Sequence, residues 1–210
     1  MSSPPSKDLE HFKGIPWTKE LLSDPGLTLI HPVRPRVLKE STEDQLFADL
    51  FSQPDTIGGI LSFHRTPSSS AHEIPEVTTL FDLGYRLNGY PGVAHGGLVV
   101  TIIDESMGIF LSRNQEVGAF SPGASRFSVE SVVTEADGKA DRRNDWQDVM
   151  TADLRVKFLK PVKTPQVVRI DVRLARREGR KFYVEADLKD EQGTVLAKGD
   201  ALWIALKAKL

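Results

Sequence analysis

The stretch Gly89-Tyr90-Pro91-Gly92-Val93-Ala94-His95-Gly96-Gly97-Leu98-Val99-Val100-Thr101-Ile102-Ile103-Asp104 decides how this chain is read. It opens on a turn, passes through His95-Gly96-Gly97, and enters an almost wholly apolar run. Residues 98–111 contain Val99, Val100, Ile102, Ile103, Met107, Ile109 and Phe110, and read as a helix. A helix that is apolar all round is hidden on most of its sides. Asp104-Glu105 interrupts it at its middle. Ionised carboxylates are rarely buried without partners, so this pair faces a solvent gap, faces a subunit interface, or serves chemistry.

Working outward, residues 60–66 and 77–87 read as strands before the helix, separated by a Pro/Ser-rich turn at 67–70. Four strands follow it. Residues 149–159 alternate, with Met150, Ala152, Leu154, Val156 and Phe158 expected on one face and Thr151, Asp153, Arg155 and Lys157 on the other. Residues 166–175, 181–190 and 194–206 continue the pattern, joined by turns at Glu178-Gly179 and Glu191-Gln192-Gly193. The expected class is α+β, an antiparallel sheet wrapped around one long central helix. Residues 1–55 read as an N-terminal extension. Within it, 1–7 are Ser/Pro-rich, 17–22 suit a short helix, 24–37 form a Pro-broken arm, and Ser41-Thr42 caps a helix through Phe51. Residues 56–210 form the domain proper, with an inserted polar loop at about 115–148.

The totals exclude several classes. Of 210 residues, 40% are hydrophobic and 27% charged, as in a soluble globular chain. The net charge of -2 argues against nucleic acid as a partner. No cysteine means no disulfide, no Cys nucleophile and no thiolate metal site. The five histidines are scattered without ligand spacing, so no metal is expected. No apolar run reaches the ~20 residues of a membrane span. Residues 1–14 lack a signal-peptide core and carry Asp8 and Glu10, so the expected compartment is cytoplasmic.

The run from Gly89 to Asp104 resembles the signature of hotdog thioesterases of the phenylacetic-acid-pathway type. These have a His-Gly-Gly turn at the start of the central helix and a catalytic carboxylate nine residues after the His, a spacing that His95 and Asp104 match. Val149 to Leu154, Lys160-Pro161-Val162 and Glu178 to Val184 are similar to the carboxyl-terminal modulator protein-like acyl-CoA thioesterases. In that subgroup the Thr matching Thr151 is an active-site residue beside the Asp. The resemblance covers roughly residues 81–206. Two departures stand out: the segment between 112 and 149 is longer here, and Asn88 is one residue out of register with an Asn of another branch.

The resemblance implies an acyl-CoA thioesterase, with Asp104 as general base or nucleophile. Gly96 would polarise the thioester oxygen through its N–H, since the first amides of a helix have no internal acceptor. The alternative for Gly96-Gly97 is tight helix–sheet packing. Thr151 would hold the water or the Asp, unless it is an ordinary strand Thr. His95 is either a turn-fixing residue or a base, and Glu105 an interface or solvent-gap residue. Gly97, Arg177, Arg180 and Lys181 are candidates for holding coenzyme A. The run from Arg173 to Lys181 carries five cations against Glu178 alone, and arginine pairs well with phosphate. A solvated hairpin tip is the other reading of that run. No cofactor is expected, because coenzyme A belongs to the substrate. The family's sites form between subunits, which implies a homodimer or a dimer of dimers. Two other functions compete: a hotdog hydrolase for carrier-protein-bound chains, and a non-catalytic acyl-binding module.

Overall fold

A strip of small residues on the last strand fixes how closely helix and sheet approach. The computed structural model describes residues 7–30, 33–40, 43–67, 73–120 and 146–207. Among these residues, helix α3 (Gly96–Glu116) lies across a seven-stranded antiparallel sheet. In spatial order its strands are β1 (Leu27–Ile30), β2 (Ile57–Arg65), β3 (Glu76–Leu83), β7 (Gln166–Glu178), β8 (Lys181–Lys189), β9 (Val195–Lys207) and β6 (Trp146–Phe158). A separate hairpin, β4 (Asn88–Tyr90) with β5 (Val93–Ala94), precedes the helix. Ala197, Gly199, Ala201 and Ala205 of β9 face α3 with Trp203 as the one large member of the strip. A Cβ on Gly199 would stand 2.7 Å from Cγ2 of Ile103 and 3.1 Å from Cε of Met107, so only glycine admits the helix here.

The inner core joins α3 to the sheet through Ile102, Ile103, Met107 and Phe110 against Phe81, Val168, Ile170 and Val184. This is the sheet wrapped around one long helix that the apolar run required. A second cluster lies on the outer face, where Phe12 of α1 (Lys7–Lys13) packs with Leu61, Phe63, Leu80 and Val167. Leu21 of α2 (Pro16–Leu21) closes it. The N-terminal extension therefore divides. Its first helices sit on the outer face, and part of the expected arm is β1, paired with β2 from Leu27↔Arg65 to Ile30↔Ser62.

Several expectations need correction. The helix expected to run to Phe51 is reduced to a π-helical turn at Leu46–Leu50. Asp44 just before it has φ +62, a left-handed conformation that no helix continues through. The strand expected over 77–87 stops at Leu83 and gives way to a 3-10 turn, Tyr85–Leu87. A Cβ at Gly84 would sit 2.3 Å from the Asp55 carbonyl oxygen, so the chain crosses there at a glycine. The alternation expected on β6 breaks at Ala152. Thr151 pairs with Trp203, yet Asp153 pairs with Leu202, leaving Ala152 as a bulge. Before the bulge the helix-facing residues are Val149 and Thr151, and Met150 is turned outward and exposed. After it they are Leu154, Val156 and Phe158, as the alternation requires.

The Ser41-Thr42 cap, the turn tip at 68–70 and most of the 115–148 insertion lie outside the described residues, as do residues 1–6. Among the described residues, no helix is long and apolar enough to cross a membrane, and no group of His, Asp and Glu has the makings of a metal site.

Candidate active site

His95 is the N-cap of α3, with φ -61 and ψ 134, and its Nδ1 accepts from the Gly97 N–H at 3.0 Å. That bond satisfies one of the orphan amides of the first turn. The ring is admitted by two glycines: a Cβ on Gly89 would meet His95 at 2.8 Å, and one on Gly97 would meet its Nδ1 at 3.0 Å. The β4–β5 hairpin is tied down by His95 N–H to Leu87 O and Ala94 N–H to Val162 O, both 2.8 Å. The Gly97 amide is thus engaged, whereas the Gly96 N–H has no acceptor among the described residues. Gly96 is exposed and borders a cleft of about 320 Å³ lined by Val93, Phe158 and Lys160.

Two turns along α3, Asp104 accepts a hydrogen bond at Oδ1 from the Thr151 hydroxyl, 2.8 Å away. The β6 bulge makes this contact possible. Without the extra residue at 152, a strand with Leu154 and Val156 inward would turn Thr151 outward. Burial raises the Asp104 pKa above the ordinary aspartate value, and the Thr151 hydroxyl opposes that rise by stabilising the charged form. Glu105, the next residue, is pushed up to about 7, first by burial and then by the charges of Asp44 and Asp104, with Lys39 pulling the other way.

Asp104 and Gly96 are not neighbours. Eight residues of α-helix separate them by about 12 Å along the axis. The basic run is further from Gly96. Gly96 lies by Phe158, which pairs with Ala197, whereas Lys181 pairs with Ile204 at the other end of β9. Seven strand residues put these ends about 23 Å apart. The run does lie near the level of Thr151, because Trp203 pairs with both Thr151 and Phe182.

Within the run, Arg173 is held by Glu185 and Asp187, and Arg176 by Glu178. Arg177 donates to the carbonyls of Phe120 and Gly179 and lies over the rings of Phe120 and Phe182. Arg180 donates to Ala205 O at 2.8 Å, and Lys181 is exposed.

Sequence reasoning passed over Trp203 and the Lys39–Asp44 ion pair. Both border a cavity of about 900 Å³ alongside the second half of α3. A lone Trp in a strip of Ala and Gly is the signal that marked the first. Nothing local marks the second.

A family model described as the thioesterase superfamily matches residues 91–197, half of the chain. Verlamelin biosynthesis protein B of Lecanicillium sp is 24% identical over 94% of this chain and 88% of its own length. Acyl-coenzyme A thioesterase THEM4 of Rattus norvegicus is 30% identical over 62% of this chain and 43% of its own length, so the chain spans less than half of that relative. Among solved structures, a hypothetical thioesterase protein of Streptococcus pneumoniae with coenzyme A superposes with a TM-score of 0.47. It is 14% identical, with 67% of this chain and 88% of that one covered.

Proposed function

The chain belongs to the thioesterase superfamily, and from that premise we propose that it hydrolyses an acyl-CoA thioester to the free acid and CoA. The observation that carries the reading is the Asp104–Thr151 pair, a partly buried carboxylate with one oxygen fixed at 2.8 Å by a hydroxyl. With Oδ1 engaged, Oδ2 is left to take a proton from water. The hydroxide so formed attacks the thioester carbon. Negative charge gathers on the carbonyl oxygen, where the Gly96 N–H and the positive end of the α3 dipole stabilise it. Collapse breaks the carbon–sulfur bond, and the thiolate recovers the proton held by Asp104.

The separation of about 12 Å along one helix prevents a single chain from bringing both groups to one carbonyl. The reading therefore takes Gly96 from one subunit and Asp104 with Thr151 from another. An isologous dimer then builds two such sites. Strand β6 is at the sheet edge, and Met150 and Phe158 on it are 57% and 52% exposed, which suits it to an interface. Arg180 and Lys181, near the level of Thr151, would meet the phosphates of coenzyme A.

Thiol release from short, long and aromatic acyl-CoAs tests this. Wild type turns over at least one ester, and Asp104→Ala, still folded, loses about 10²–10⁴-fold in rate. Equal rates for the two proteins would overturn the assignment, and no release from any ester would overturn the acyl-CoA reading.

A further inference from the structure

The cavity of about 900 Å³ is lined by Leu29 and Ile30 of β1 and by Val149 and Met150 of β6, and these strands are the two edges of the sheet. It therefore lies along the side of α3 that the sheet leaves open. Glu105, Gly108, Ile109 and Ser112 line it from the helix. It adjoins the proposed site. Gly108 is one turn beyond Asp104, and Val149, two residues before Thr151, points like Thr151 toward the helix. Arg180 and Lys181, on the turn between β7 and β8, do not line it, so the acyl chain and the nucleotide do not compete for this space. Its size suits a small-molecule chain.

Gly108 is half-buried in the middle of α3, where glycine makes a helix less stable than alanine does. Packing does not require it. Beyond its own helix turn, the one described atom within 4 Å of a Cβ placed there is Cη2 of Trp203, at 3.4 Å, an ordinary contact. Gly199 is the opposite case, since a Cβ there would stand 2.7 Å from Ile103. Gly108 and Trp203 both line the cavity, so the room left by the missing side chain is room in the cavity. The walls admit a hydrocarbon. Ile30, Ile109, Val149 and Trp203 give apolar surface, and the cations are held, Lys39 by Glu43 and Asp44, Arg113 by Glu116. From Asp104 to Ser112 the helix advances about 12 Å, the reach of a straight acyl chain of medium length.

We infer that the acyl group lies along α3 in this cavity and that Gly108 determines its length: medium-length chains pass it, and a side chain at this position stops them. This names the substrate class of the site proposed above and rests on that reading. The chemistry at the thioester is unchanged, and Gly108 takes no part in bond breaking.

The test compares acetyl-CoA, too short to reach Gly108, with decanoyl-CoA, which passes it. In wild type kcat/KM is higher for decanoyl-CoA. Gly108→Val lowers the decanoyl-to-acetyl ratio of kcat/KM by at least about tenfold, the usual effect of a misfit of one carbon in an apolar pocket. Gly108→Ala, which gains helix propensity and so guards against a misfolded valine variant, lowers the ratio by a smaller factor. A ratio unchanged in both variants overturns the inference, as does a wild type that cleaves acetyl-CoA and not decanoyl-CoA.

A second measurement does not depend on turnover. 1-Decanol, a neutral chain that Asp104 does not repel, is titrated into each protein by calorimetry. It binds wild type and loses at least about tenfold in affinity in Gly108→Val. No binding to wild type, or equal affinity in the two proteins, also overturns the inference. If neither ester is hydrolysed while that difference in affinity is seen, the thioesterase reading fails and the cavity assignment stands. If both esters are hydrolysed and the ratio does not move, the cavity assignment fails and the thioesterase reading stands.

Discussion

The Thr151 hydroxyl reaches Asp104 at 2.8 Å because β6 carries one residue more than β9 between Thr151 and Asp153. A single bulge thus turns a strand threonine toward a helix carboxylate, and the pH response of that carboxylate follows from the contact. A hydroxyl donating to a carboxylate favours its charged form, so it works against the rise that burial causes. Thr151→Ala removes the opposing effect and raises the Asp104 pKa further. The acid limb of the kcat/KM profile should move to higher pH in Thr151→Ala and return toward wild type in Thr151→Ser. A limb at the same pH in all three proteins would separate Thr151 from the titration of Asp104.

Glu105 gives a stability prediction of definite sign. Its pKa, ordinarily 4.5, is pushed up to about 7 in the fold, so the folded state resists ionisation. Below pH 4.5 the residue is neutral in folded and unfolded chains and costs nothing. Between 4.5 and 7 the unfolded chain ionises first, and stability falls as pH rises. Above 7 the penalty is constant, on the order of 3 kcal/mol. Glu105→Gln should therefore show little gain in midpoint denaturant concentration near pH 4.5 and its full gain above pH 7. A gain that is flat with pH would show that charge burial is not the cause.

The basic turn between β7 and β8 is testable through the substrate. Arg180→Gln with Lys181→Gln should raise KM for acyl-CoA and leave that for the matching acyl-pantetheine, which lacks the nucleotide phosphates, within about twofold. Equal increases for both substrates would make the turn a solvated tip. Arg177 is the less informative choice, because two carbonyls, those of Phe120 and Gly179, hold it, against the single Ala205 carbonyl on Arg180.

The long helix and the His95-Gly96-Gly97 turn were legible in the sequence because their signals are local: an apolar run, a glycine pair, a fixed spacing. The β6 bulge was not, since a one-residue slip is decided by the cross-strand partner rather than by composition. The same limit hid β1, four residues long and recruited only by its pairing with β2. The helix expected to end at Phe51 had the right acids and apolar face, but Asp44 adopts φ +62 and its carboxylate pairs with Lys39, which stops the helix before it starts. In the candidate site, Asp104 and Thr151 could be named from motifs, whereas their contact could not. Trp203 reads as core in the sequence, because one aromatic in a strand gives no sign that its N–H will be buried without a partner among the described residues.

If Gly96 of one chain and Asp104 of another act on one thioester, two variants that are each inactive alone complement one another when mixed. Gly96→Pro removes the N–H at the first helical position, where proline is well tolerated, and His95 before it already has the extended backbone that proline prefers. Alone, it should lose about 10²–10³-fold in kcat. Asp104→Ala is expected to be inactive for its own reason, the loss of the base. After the two are unfolded together and refolded as an equal mixture, half of the dimers are mixed, and each mixed dimer holds one site with both groups intact. Recovery of about a quarter of wild-type thiol release from acyl-CoA is expected. Mixed dimers that form but stay inactive would contradict it.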